Sequence, residues 1–315
     1  MKLAAVIVTY NRLEKLKLTI ARSLEESIDY VIVVNNACTD GTTNWLQKQD
    51  DPKLVCLNLK QNIGGSGGFH VGFDRALQLG ADWLVCYDDD AFPQENSIDE
   101  FRNFIRKNQN TDLAGIAAAV YGPSGGIMEM NRPSFHPFKS LKQSIKTLRY
   151  GRMGFHIPDT CYDQLEPTRI QASSFVGCFV RCSSIQNSLG LPRKELFIYG
   201  DDILYTLNIE KLGLTHLFVP TIRFTHDCET LATNSKKYTP LWKAYYTYRN
   251  GIELYRSTAG WLFPLVMTAK ILTWTKNAYL YEDKIKYLSI TYRAILHGLK
   301  RDFRQSHKKL LEKYK

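Results

Sequence analysis

The chain has no uninterrupted apolar run of the ~18 residues that a membrane-spanning helix needs. Its best candidate, residues 259–274 (AGWLFPLVMTAKILTW), is broken by Pro264 and Lys270, so no spanning helix is expected. Cysteine is sparse and unpatterned: seven residues, an odd number, without a Cys-x-x-Cys pair. In a chain of 315 residues that excludes a disulfide-stapled mini-domain. Cys56 and Cys86 lie inside apolar, strand-like runs, and the set reads as reduced cysteines of a cytosolic protein. The opening residues, MKLAAVIVTYNR, lack an h-region and a cleavage site, and they read as a first strand rather than a signal peptide. Internal repeats and low-complexity tracts are also missing. Acidic residues are scarce in one place only: residues 236–315 hold 5 Asp and Glu against 17 Lys and Arg.

What is present is ordinary in bulk. Hydrophobic content of 44% and charged content of 23% suit a folded soluble protein of one large domain with appendages, or of two domains. The net charge of +10 is unevenly spread, because the residues before 236 carry 24 basic against 26 acidic side chains. A near-neutral body therefore precedes a basic, aromatic segment. Such a segment suits an anionic partner: phospholipid, nucleic acid or a phosphate-bearing substrate.

Apolar strand candidates lie at 3–9, 30–34, 54–59, 83–87 and 114–120. Between them are helical patterns that start at Asn11, after Asp40, at 69–79 behind a glycine loop at 64–68, and near 98–107. Strands apolar throughout, alternating with short helices, predict an α/β protein with a mostly parallel central sheet covered on both faces. In such sheets ligands bind beyond the carboxyl ends of the strands. Thr9-Tyr10-Asn11-Arg12, Asn35-Asn36, the glycine loop and Asp88-Asp89-Asp90 all fall at those ends. Residues 121–170 are rich in turn formers and are expected to be loops and excursions beside the site. Residues 196–213 run into a helix opened by Asp201 or Asp202 and stopped by Gly213, and 215–227 is strand-like. From Thr239 onward, aromatic and aliphatic residues recur at helical spacing.

Three adjacent carboxylates repel one another. They form either a solvated acidic turn that caps the next helix, or a site where Asp88 and Asp90 share a divalent cation. Oxygen-only ligation suits Mg2+ or Mn2+, ions that commonly bridge to phosphates. The glycine loop admits two readings as well: close approach of backbone to a nucleotide, or tight helix–sheet packing. A dinucleotide-binding fold would carry such a loop after its first strand, and here it follows the third. Arg75, on the helix that follows, could meet a phosphate, one of the aspartates or a surface partner.

Taken in order, VIVTYNR, VIVVNNACTDGT, NIGGSGGFHVGFDRAL, YDDDAFP, ELFIYGDDILYTLNIEKLG and RFTHD resemble the family-two glycosyltransferases over residues 1 to about 228. The resemblance implies a GT-A fold, the nucleotide-diphospho-sugar transferase fold, with a catalytic domain at 1–235 and a helical segment at 236–315. It implies a metal, Mn2+ or Mg2+, on Asp88, Asp90 and His226. It places Asp202 as the catalytic base, with Asp201 as the second choice. Thr9, Tyr10, Arg12, Asn36, Asn62, Gly64, Gly65, Gly68, Arg75 and Asp89 would line the nucleotide-sugar site. No covalent intermediate is required for inverting transfer, so no Ser or Cys nucleophile is sought. Within the family the glycine loop and aspartate triplet are most similar to bacterial galactofuranosyltransferases, whose donor is UDP-galactofuranose. A Tyr-Tyr-x-x-Arg-Asn element at 245–250 is shared with rhamnosyltransferases, which makes dTDP-rhamnose the alternative donor. The chain departs from the family at Asn35-Asn36, where many members carry Asp-Asp. Asparagine offers a uracil edge both donor and acceptor but no charge. A non-enzymatic alternative, a nucleotide-sugar-binding scaffold with a decayed site, is disfavoured because every metal and base candidate is present.

The basic segment suits peripheral attachment to an anionic membrane, with Trp242, Tyr245, Tyr246, Trp261, Phe263 and Trp274 at the interface. It also suits a helical subdomain that binds a glycan or lipid-linked saccharide acceptor, or that pairs two copies of the chain as a homo-oligomer. Nucleic acid is set aside, since no recognised module is present. The expected location is the cytoplasm, at the inner face of the cytoplasmic membrane.

Overall fold

The computed structural model describes residues 1–108, 111–228 and 237–314. The expected domain boundary at 235/236 lies outside the described residues. The strands are β1 (Leu3–Thr9), β2 (Tyr30–Asn35), β3 (Leu54–Asn58), β4 (Trp83–Asp88), β5 (Ala91–Pro93), β6 (Leu113–Tyr121), β7 (Thr168–Arg169), β8 (Cys178–Arg181) and β9 (Thr215–His226). They form one sheet in the order β3-β2-β1-β4-β8-β6-β9-β5, with β7 also on β9. The β3-β2-β1-β4 half is parallel, as is the long β6–β9 pairing. Shorter antiparallel pairings bring in β8, β5 and β7.

The lack of hydrophobic alternation in β1, β2 and β4 has its cause in two-sided burial. Alternate residues feed two cores. Ala5, Ile7, Val31, Val33, Val85 and Tyr87 join Leu16, Ile20, Ile98 and Phe101 of the helices Leu13–Glu25 and Ser97–Lys107. Ala4, Val6, Ile32, Val34, Leu84 and Cys86 join Phe69, Phe73 and Ala76 of the helix Gly64–Gln78. All seven cysteines are unbridged.

Two expectations change. Residues 64–68 are not a loop but the first turn of the helix Gly64–Gln78. Glycine is a poor helix former, yet here it permits close packing. A Cβ at Gly68 would lie 2.4 Å from Val8 Cγ1, and one at Gly72 would lie 2.2 Å from Val6 Cγ1. Residues 121–170 hold a helix, Leu141–Tyr150, whose first turn Ser140 caps by accepting from Gln143 N.

The C-terminal helices Trp242–Thr258, Phe263–Lys276, Lys284–Lys300 and His307–Tyr314 share a core of their own, which includes Tyr245, Tyr248, Ile252, Trp274, Tyr287, Ile290 and Leu310. Tyr245, Tyr246 and Trp274 are buried in it, so they are not the membrane-facing aromatics the sequence suggested; Trp261, at 87% exposure, faces solvent. Among the described residues no helix is long and apolar enough to cross a membrane.

Candidate active site

Register brings the site together. Val8 of β1 pairs with Asp88 of β4, so Thr9 and Arg12 emerge beside the aspartate triplet. β5 follows the triplet at once and runs antiparallel to β9, with Ala91 opposite His226. The repulsion among the carboxylates is offset by protein charges. Arg12 Nη1 reaches Asp89 Oδ1 at 3.0 Å, and its Nη2 reaches Asp90 Oδ2 at 2.8 Å. Thr9 Oγ1 donates to Asp89 Oδ2 at 2.7 Å, and His226 Nε2 lies 3.2 Å from Asp90 Oδ1.

These contacts divide the three groups. Burial pushes the Asp89 carboxyl up to about 7, against the pull of Arg12 and Thr9. Burial raises Asp88 as well, opposed by His226. Burial alone would also raise Asp90, but the hydrogen bond and charge of His226, with Arg12, hold it below the ordinary carboxylate range. His226 shows the converse: burial would lower it, whereas Asp90, Cys228 and Asp88 raise it to about 10. Its ring is oriented from behind, Nδ1 lying 2.8 Å from Asn131 Oδ1, while Asn131 Nδ2 donates to Ser174 Oγ at 3.0 Å. A ring nitrogen held in this way is the usual support of a metal-ligating histidine.

The second pair of carboxylates opens the helix Asp201–Lys211, after Gly200 in the left-handed region at φ 79°. Burial raises both. Repulsion from Asp201 raises Asp202 further, while Ile203 N donates to Asp202 Oδ1 at 2.7 Å. The charge of Asp88 acts on both, so strand end and helix start form one electrostatic site.

The loop before this helix is held by the C-terminal region. Arg249 Nη2 donates to Leu196 O at 2.7 Å, and Asn250 Nδ2 donates to Ile198 O and Tyr199 O, both at 2.8 Å. Phe197 and Tyr199 both sit at φ 68°, a conformation non-glycine residues adopt only where neighbours impose it. Phe197 O in turn accepts from Ser66 N at 3.1 Å, tying the loop to the glycine turn.

The remaining residues expected in the donor site separate into groups. Asn36 is buried, its Nδ2 on Gly64 O at 3.0 Å and its Oδ1 accepting from Ile63 N at 2.9 Å; its amide ties β2 to the glycine turn. Asn62 Oδ1 accepts from Gly64 N at 2.8 Å. Gly64 needs its φ of 77°, and a Cβ there would sit 2.1 Å from Phe197 O. Gly65 faces open space, whereas Gly68 is closed off by Val8. Tyr10 is half-exposed at the end of β1. Arg75 donates to Gln78 on its own helix at 3.3 Å and is not brought to the aspartates.

For a metal, the atoms that converge are a carboxylate oxygen of Asp90, a ring nitrogen of His226 and the sulfur of Cys228, all within 4.8 Å of one another. This donor set fits a divalent ion. Asp88, expected as a ligand, lies outside the trio. Cys228 and Asn131 were not expected from the sequence, and the Tyr-Tyr-x-x-Arg-Asn element at 245–250 did not show there that Arg249 and Asn250 clamp the loop before Asp201. The first was legible as a His-x-Cys pair at a strand end; the others lie too far away in sequence to announce themselves.

A sheet with an acidic triplet at the end of its fourth strand, and a carboxylate pair opening a helix beside it, is the architecture of a GT-A glycosyltransferase. The chain belongs to glycosyl transferase family 2, which its residues 4–166 match. The galactofuranosyltransferase GlfT1 of Mycolicibacterium smegmatis is 25% identical over 229 residues, 72% of this chain and 71% of that relative. The dTDP-rhamnosyl transferase RfbF of Shigella flexneri is 23% identical over 309 residues, 94% of this chain and 95% of that relative. Among solved structures, GalNAc-T7 with UDP, GalNAc and Mn2+ superposes with a TM-score of 0.54 at 15% identity, over 82% of this chain and 51% of that one. S. aureus TarS 1-349 superposes with a TM-score of 0.54 at 13% identity, over 96% of this chain and 82% of that one.

Proposed function

We propose that this glycosyltransferase moves galactofuranose from UDP-galactofuranose, with inversion, onto a cell-surface glycan or a lipid-linked saccharide. The observation that carries this reading is the convergence of Asp90 and His226 with the raised Asp201–Asp202 pair beyond the sheet, in a chain similar to GlfT1. Asp202 takes the proton of the acceptor hydroxyl, and burial beside Asp201 keeps it basic enough to do so near neutral pH. Asp201 is the second candidate. Asp90 and His226 would hold the divalent ion, with Asp88 beside them, and a bound ion would supply positive charge against the departing diphosphate. Thr9 and Arg12 fix Asp89 at the donor side. Residues 1–235 form the catalytic body, and the helices after 236 support its loop and meet the acceptor.

Transfer of rhamnose from a dTDP-sugar is the second reading. It is favoured by the nearly full-length likeness to RfbF and by the Arg249-Asn250 clamp. The test is a screen of UDP- and dTDP-sugars with purified protein and Mn2+ or Mg2+, reading nucleotide release. Release from UDP-galactofuranose alone supports the first reading and release from dTDP-rhamnose the second. No release from any donor, with or without metal, returns the chain to a binding scaffold.

The protein also works at the cytoplasmic face of an anionic membrane. On the helix Lys284–Lys300, Ile285, Leu288, Tyr292, Leu296 and Leu299 follow one face and are exposed, with Lys286, Arg293 and Lys300 alongside. An apolar stripe flanked by cations suits a bilayer with acidic headgroups.

A further inference from the structure

We propose that Cys228 is a metal ligand, completing with Asp90 and His226 a mixed oxygen, nitrogen and sulfur site that takes a first-row transition ion and discriminates against Mg2+. This rests on the reading of Asp90 and His226 as metal ligands, and it adds a donor that changes which ion the site prefers. The three donor atoms lie within 4.8 Å of one another. A tetrahedral ion with bonds of 2.0–2.3 Å asks for donors about 3.3–3.8 Å apart, so a small closure suffices.

The backbone explains why these three meet. Ala91 pairs with His226, and Asp227 N donates to Asp90 O at 2.8 Å, so the chain ends run side by side past the last rung of the ladder. Side chains of an extended chain alternate, which puts His226 and Cys228 on one side and Asp227 on the other. Asp227 meets Lys15, away from the trio. Asn131 occupies Nδ1 of His226, leaving Nε2 toward Asp90. Arg12 engages Oδ2 of Asp90, leaving Oδ1 toward His226. One oxygen, one nitrogen and one sulfur therefore face a common point.

Mg2+ prefers oxygen ligands and keeps its waters, so imidazole and thiolate are poor substitutes for it. First-row divalent ions accept nitrogen and sulfur, with affinity rising from Mn2+ to Cu2+ and falling back at Zn2+. Cys228 binds as the thiolate, its proton passing to solvent as the metal–sulfur bond forms.

The experiment uses the full chain after chelator treatment, titrated with Co2+ with and without UDP and followed by absorbance. A thiolate-to-Co2+ charge-transfer band is expected, which Zn2+ displaces and excess Mg2+ does not. Cys228→Ser should abolish the band yet still bind Co2+ through Asp90 and His226. Its affinity should be weaker by at least the roughly 10-fold typical of a lost outer-shell partner. Co2+ binding without a thiolate band, a band that survives in Cys228→Ser, or ready displacement by Mg2+ overturns the role of Cys228 while leaving the Asp90–His226 site standing. Failure of Co2+ to bind in either condition overturns both.

Discussion

At Asp202 the same burial that suits a base also weakens the fold. Its carboxyl is raised by desolvation and by Asp201, so the folded chain holds that proton more tightly than the unfolded chain does. Wild-type stability therefore falls as pH climbs from the ordinary carboxylate range through the raised value. Asp202→Asn removes this loss: its melting temperature should exceed that of wild type near pH 8 and converge with it near pH 4, measured by thermal denaturation across pH. Transfer by the same variant should fall roughly 10²-fold or more, with donor affinity kept. A milder loss than that of Asp201→Asn moves the base to Asp201. Asp90 behaves in the opposite sense, since Arg12 and His226 hold its carboxyl down. Its contribution is present above the ordinary carboxylate pKa and is lost as pH drops through the lowered value. Asp90→Ala should therefore destabilise the metal-free protein at neutral pH by about 1–3 kcal/mol, the cost of leaving a buried group without its charged partner. Unchanged denaturant stability would mean that the triplet is relieved by solvent rather than by Arg12 and His226.

Among the elements, the helix Trp242–Thr258 controls the loop that presents Asp201 and Asp202. Asn250 Nδ2 lies within hydrogen-bonding distance of the carbonyls of Leu196, Ile198 and Tyr199, sharing its two hydrogens among them, and Arg249 is fully buried beside it. Asn250→Ala leaves these carbonyls without that donor and releases two residues held at positive φ. Turnover should drop by about 10²-fold, the scale of an ångström-sized misplacement, while the KM for donor changes little. A rise in KM with turnover intact would place the clamp in donor binding instead. Gly64→Ala tests the other end of the same tie. With φ at 77° and Phe197 O 2.1 Å from the added carbon, the glycine turn and the loop cannot both stay in place. Loss of both stability and transfer is the expected outcome, read by melting temperature and activity side by side.

For the molecule as a whole, the distribution of charge and apolar surface predicts how it meets a membrane. The cations near the C-terminus are not equivalent. Arg301 pairs with buried Glu253, and Arg304 with Asp302, whereas the exposed Lys300, Lys308 and Lys309 show no such pairs among the described residues. Ile285→Glu with Tyr292→Glu, which charges the exposed stripe, should abolish co-sedimentation with anionic liposomes. Neutralising Lys300, Lys308 and Lys309 should weaken it by up to about 1 kcal/mol per charge that reaches the surface. Salt should weaken the electrostatic part, since the Debye length shrinks from about 10 Å at 0.1 M to about 3 Å at 1 M. Donor hydrolysis should be unaffected, because both sets of residues lie outside the carboxylate site. No liposome binding, together with a dimer in solution that Ile285→Glu dissociates, would instead make the stripe a contact between copies.

The five main strands, the alternation with helices, the GT-A class and the clustering of Thr9, Arg12, Asp88–Asp90 and Asp201–Asp202 at one end of the sheet were determined by the sequence alone. The strands and their alternation are local or periodic properties, because two-sided burial writes continuous apolar runs and the switch-point rule places Thr9, Arg12 and Asp88–Asp90 beyond them. The GT-A class and the place of Asp201–Asp202 followed instead from the resemblance of the ordered motifs to family-two glycosyltransferases. Tertiary structure decided what depends on partners distant along the chain. It spent the amide of Asn36 on Gly64, closed Gly68 against Val8 and turned the glycine loop into a helical turn, because close packing outweighed intrinsic propensity. It buried Tyr245, Tyr246 and Trp274, since amphipathic spacing identifies an apolar face without saying what covers it. It also brought Asn131 to His226 across 95 positions and Arg249 to Leu196 across 53. A polar contact between distant segments leaves no periodic trace, and only the folded backbone brings its two halves together.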